Sequence, residues 1–128
     1  MKGLNPTAES AFVDASVLQD SNDLTGALRL FRRAVELDGA DPRYWVALGV
    51  CLSKLRHWSE SAKALQRGVN LKPHYAEADA RLFLAEALLA SGDRKRAREQ
   101  LEHIIGMRPS YPSYDRVIDE ARRKLAEL

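Results

Sequence analysis

Apolar residues recur along this chain at spacings of three and four, and no strand-like alternation runs across it. The stripes predict helices at roughly residues 7–21, 24–37, 42–55, 58–71, 76–91, 93–107 and 113–127. Asn22 and Gly92 suit a left-handed turn between two such helices, and Arg56 takes that place in the middle of the chain. Asp41 and Pro42 supply a cap and a first-turn proline. Pro73 and Pro109 end the helices that precede them. The last segment sets Tyr114, Val117, Ile118, Ala121 and Leu125 on one stripe, with Arg116, Asp119, Glu120, Arg123 and Lys124 away from it.

The helices repeat as pairs. Trp45-x2-Leu48-Gly49-x2-Leu52 returns as Arg81-x2-Leu84-Ala85-x2-Leu88, and Ser61-x3-Leu65-x2-Gly68-x4-Pro73 returns as Ala97-x3-Leu101-x2-Ile104-x4-Pro109. A weaker copy comes first, Ala11-x2-Asp14-Ala15-x2-Leu18 and then Ala27-x3-Phe31-x2-Ala34-x4-Gly39. Small residues in the first helix (Ala15, Gly49, Ala85) and in the second (Ala27, Ser61, Ala97) allow close approach. Phe31, Leu65 and Leu101 are then expected to fill the space between hairpins. The pattern resembles the tetratricopeptide repeat (TPR), W-x2-L-G-x2-Y followed by A-x3-F and P.

That resemblance implies an all-α, right-handed superhelix of three antiparallel helical hairpins closed by a seventh, capping helix. One domain over residues 1–128 is expected, with repeats at about 8–41, 42–75 and 78–111 and the cap at about 113–127. Three departures stand out. Asp14 occupies a leucine place, which predicts a shifted, frayed or incompletely buried first helix. Arg81 and Arg94 replace aromatics that the second repeat keeps as Trp45 and Trp58. Two extra residues around His74-Tyr75-Ala76-Glu77 are expected to lengthen the first helix of the third repeat.

Charge and chemistry change this picture little. The 20 basic and 18 acidic side chains nearly cancel, so no overall field favours nucleic acid. No apolar run approaches the ~20 residues of a membrane span, and the first residues lack a secretory pattern. A soluble, cytoplasmic protein without membrane insertion is expected. Cys51 falls inside an apolar run, which favours an inert thiol. His57, His74 and His103 fall on a turn, a loop and an outer helix, without metal-site spacing. Neither a cofactor nor a catalytic constellation is indicated, and an enzyme is not expected. Arg94, Lys95, Arg96 and Arg98 read as a solvated face, with a docking patch for an acidic partner or phosphate as the alternative.

In TPR proteins the first helices of successive repeats line a concave groove that holds peptides or helices. The matching places are Phe12, Val13 and Ser16 in the first repeat, with Glu9, Gln19 and Asp20 beside them. The second repeat offers Arg43, Val46, Ala47, Val50 and Lys54, and the third Asp79, Leu82, Phe83 and Glu86. The lysine, asparagine and arginine clamp that some TPR domains use for a terminal carboxylate is absent: Phe12, Ser16, Ala47, Asp79 and Phe83 stand there. An apolar centre flanked by charge points to an apolar peptide or one face of an amphipathic helix. An adaptor or scaffold fits this best. A dedicated chaperone similar to those of type III secretion translocators, or a self-associating homo-oligomer, are the alternatives.

Overall fold

The computed structural model describes residues 5–74, 76–107 and 112–128, with the backbone alone for Pro112 and Ser113. Tyr75 and Pro109, which entered the linker and helix-end readings above, lie outside the described residues. Seven α-helices follow one another: α1 (Pro6–Asp20), α2 (Leu24–Leu37), α3 (Pro42–Lys54), α4 (Trp58–Asn70), α5 (Glu77–Ala90), α6 (Arg94–Ile105) and α7 (Pro112–Ala126). No strand occurs among the described residues.

The ends of the helices follow from local chemistry. Asn5 accepts hydrogen bonds from the backbone N–H groups of Thr7 and Ala8 at 3.1 and 3.0 Å, and Pro6 opens α1. Asp41 and Pro42 do the same for α3, with Asp41 accepting from the Arg43 backbone at 2.9 Å. Asn22, Arg56 and Gly92 all adopt positive φ, of 64°, 62° and 89°, between the helices of successive pairs. The turn is the same each time. The N–H of Asp23, His57 and Asp93 reaches back to the carbonyl of Leu18, Leu52 and Leu88 respectively, at 2.8 to 2.9 Å.

Packing places α1 on α2, α3 on α4 and α5 on α6, and each pair then stacks on the next. Phe31 lies with Leu48 and Leu52 between the first and second pairs. Leu65 lies with Ala80 and Leu84 between the second and third. Leu101 and Ile104 are covered by Tyr114, Val117 and Ile118 of α7. Each buried leucine of this kind removes apolar surface worth ~1.5–3 kcal/mol from water, so the stack is held by a chain of local cores.

Two of the departures now have a definite form. Of the outcomes expected at Asp14 it is incomplete burial that occurs: α1 is a regular fifteen-residue helix, neither shifted nor frayed, with Asp14 exposed on it. Leu48 and Leu84, its counterparts, turn toward the preceding pair of helices, whereas no helix pair precedes α1 among the described residues. Of the two extra residues before the third repeat, little goes into α5, which has fourteen residues against thirteen in α3. The linker absorbs them. It reverses at Lys72 (φ 57°), buries Pro73, and offers the His74 carbonyl to the Tyr114 hydroxyl at 3.2 Å.

Candidate peptide-binding groove

α1, α3 and α5 are the first helices of the three pairs, and the polar and aromatic contacts between them define three different zones. At the α1–α3 end, Arg43 bridges the helices through Nη2, 2.7 Å from Glu9 and 2.8 Å from Asp41. Its guanidinium also lies over the rings of Phe12 and Tyr44, 5.3 Å from each centroid. Phe12 in turn tilts against Tyr44 at 5.1 Å and Phe31 at 6.0 Å. The hydrogen bond with Asp41, more than any other contact, holds the Arg43 guanidinium protonated beyond its ordinary range. Arg43 therefore carries a charge already neutralised by two carboxylates. It is not a free cation awaiting a ligand.

The middle zone is apolar. Val46 and Val50 are half-buried at the edge of the core shared with α5, and Ala47 at the edge of the core shared with α1 and α2. Leu82 lies at the edge of the third core, which α5, α6 and α7 share. Phe83 is 37% exposed and belongs to none of these cores. Val13 is half exposed on α1. Ser16 donates its hydroxyl to the Phe12 carbonyl at 3.0 Å, a bond within its own helix that spends its donor. Lys54, exposed at the end of α3, makes no ion pair among the described residues.

The third zone involves a helix that the sequence reading set outside the groove. α7 packs beside α5 as well as on α6. Arg116 reaches Asp79 at 3.8 Å, while Glu120 and Lys124 lie within electrostatic reach of Glu86. These three residues do not simply face away from the capping stripe. Their spacing of four places them on one row beside Val117 and Ala121, and that spacing was the signal available in the sequence. Burial raises the Glu86 carboxyl above the ordinary glutamate range, Lys124 pulling it down and Glu120 pushing it up.

The reactive side chains stay apart. Cys51 is fully buried, with Sγ 3.6 Å from the Leu24 carbonyl, and burial pushes its thiol up and away from the thiolate. His57 and His74 are exposed, and His103 lies 3.7 Å from Glu77 on the outer side. Among the described residues no group of histidines, cysteines and carboxylates is arranged to hold a metal ion. No helix among them is long and apolar enough to cross a membrane. Arg96 of the basic run is tied to Gln66 at 3.1 Å and to Asp93 at 3.8 Å.

The chain is similar in fold to the Yersinia enterocolitica type III secretion chaperone SycD in complex with a peptide of the translocator YopD. The TM-score is 0.85 at 19% identity, over 97% of this chain and 93% of that one. PcrH from Pseudomonas aeruginosa matches at a TM-score of 0.82 and 20% identity, over 98% of this chain and 95% of that one. The first TPR domain of Spaghetti (RPAP3), bound to an HSP90 peptide, matches at 0.76 and 12% identity, over 94% of each chain. No curated protein matches the chain in sequence. The tetratricopeptide repeat family profile matches residues 14–69 and 52–112. With its repeated turns, paired small residues and stacked cores inside those bounds, the chain belongs to the tetratricopeptide repeat family.

Proposed function

We propose that the chain is a non-enzymatic protein–protein interaction module that acts in the cytoplasm as an adaptor or scaffold. It forms a single domain of three repeats, at about 8–41, 42–75 and 78–111, plus the cap at about 113–127. Its ligand is a peptide or amphipathic helix lying along α1, α3 and α5. The binding residues are Phe12, Val13, Ser16, Arg43, Val46, Ala47, Val50, Lys54, Asp79, Leu82, Phe83 and Glu86. The observation that carries this reading is the apolar row on successive first helices, half-buried at Val46, Val50 and Leu82 and exposed at Phe83. Apolar surface of this kind between charged ends is what an apolar segment of a partner can cover.

A second reading, a dedicated chaperone for a secreted translocator, is favoured by the likeness to SycD and PcrH across nearly the full length of both chains. Both readings use the same groove, so one pair of substitutions tests them together. Phe83→Ala should weaken partner binding and cost about 1 kcal/mol of stability or less, since the ring is partly in water already. Leu65→Ala should cost about 2–5 kcal/mol, the range for a fully buried leucine. Affinity capture with the wild-type chain and with Val50→Glu supplies the binding readout. Unchanged partners with Val50→Glu and with Phe83→Ala would remove the groove from consideration.

A further inference from the structure

Charge along the groove is met at one end and unmet at the other. Arg43 is saturated by Glu9 and Asp41, so the α1–α3 end offers a ligand no spare cation. Glu86, on α5, stands where α3 has Val50 and α1 has Ser16, in a stretch otherwise made of Leu82, Phe83, Leu89 and Ala90. Its carboxylate is half-buried and, among the described residues, makes neither a hydrogen bond nor an ion pair.

The nearby groups on α7 offset it only in part. Lys124 sits 3.8 Å from Glu120, and Glu120 is also taken by Arg123. Asp79 lies seven residues earlier on the same helix, about 10 Å along its axis. Its cation, Arg116, is 3.8 Å away with a side chain 75% exposed, a pairing that solvent screens heavily. A carboxylate stripped of part of its water, with no partner at contact distance and only the shared pull of Lys124, is a cost to the free protein. A cation brought by a ligand relieves that cost.

We infer that the segment held in the groove carries a lysine or arginine beside its apolar anchors, and that this cation meets Glu86 between α5 and α7. The inference rests on the groove reading given above and deepens it by naming the ligand's charge. The apolar anchors cover Val46, Val50 and Phe83, and Asp79 adds negative potential on the same helix. An acidic segment is turned away there, because like charges in a partly dry site cost more than they do in water.

A library of phage-displayed dodecapeptides selected on the whole chain, with recovered peptides resynthesised and fluorescein-labelled, tests this by anisotropy titration. Peptides that depend on the groove are those weakened by Val50→Glu, or by Phe83→Ala should the first variant melt early. These peptides are expected to share one lysine or arginine next to apolar residues. Replacing that residue by glutamate should weaken binding about tenfold or more, the size of a close charge-pair coupling. Glu86→Lys should then restore binding of the glutamate-bearing peptide. Groove-dependent peptides that lack a cation, or that bind Glu86→Gln as well as the wild-type chain, overturn the cation and leave the groove standing. Peptides indifferent to the groove variants, or no selected peptide at all, overturn the groove itself and the inference with it.

Discussion

The middle hairpin, α3 with α4, differs from its two neighbours in opposite ways at its waist and at its turn. At the waist it is the tighter. Gly49 and Gly68 stand where the first hairpin has Ala15 and Ala34 and the third has Ala85 and Ile104. A methyl group at Gly49 would run into the Leu65 side chain, with Cδ2 at 2.8 Å, and one at Gly68 would meet Val46 Cγ2 at 2.7 Å. Ser61, fully buried, donates its hydroxyl to the Gly49 carbonyl at 2.7 Å, where the neighbours have Ala27 and Ala97. At the turn the middle hairpin is the poorer. Asp23 and Asp93 cap the second helices of the outer hairpins by accepting from Gly26 and Arg96, whereas His57 makes no such bond. Arg56 holds a left-handed conformation better suited to Asn22 and Gly92. Packing along the helices therefore dictates the turn, and the turn residues only tune its stability.

That contrast can be broken most directly at Gly49. Gly49→Ala should lower stability by about 1–3 kcal/mol, the range for overpacking, read from the urea midpoint. A neutral result would mean that the middle hairpin is no tighter than its neighbours, which carry alanine there already. A smaller effect of opposite sign is expected from His57→Asp. Supplying the missing acceptor to α4 should raise stability by about 1 kcal/mol, and Asp93→Ala should remove a similar amount from the third hairpin. Arg56→Asn should give the smallest gain, about 0.5 kcal/mol, by easing the positive φ. If Arg56→Asn left the melting temperature unchanged, the arginine would be no burden to that turn.

Much of the architecture could be read from the chain because each hairpin is specified locally. Stripes at three and four fixed which faces meet, and Asp41-Pro42, Asn22 and Gly92 marked ends and reversals through their own backbone preferences. Arg56 carries no such preference, and its place followed only from alignment with the other two turns. The candidate groove was less legible, since its character depends on partners distant in sequence. Nothing around Arg43 announces that Glu9, thirty-four residues earlier, helps neutralise it. Val46 and Leu82 look alike as first-helix residues, yet each is half covered at the edge of a core shared with later helices, Val46 in the second and Leu82 in the third. For α7 the row Arg116, Glu120 and Lys124 was visible as a spacing of four. A capping helix and a helix flanking α5 share one amphipathic pattern, however, so the row alone did not show which neighbour it meets.

Asp14 has a consequence for the length of any assembly. Leu48 and Leu84 seat each pair of helices on the one before, and a further copy joining head-to-tail in the same register would have to close over Asp14 instead. Drying an unpaired carboxylate costs several kcal/mol, against the favourable burial that a leucine would bring. The exposed Val13 and Val17 nearby soften that barrier without removing the charge. One aspartate in place of a leucine thus sets a charge against head-to-tail stacking of copies in this register.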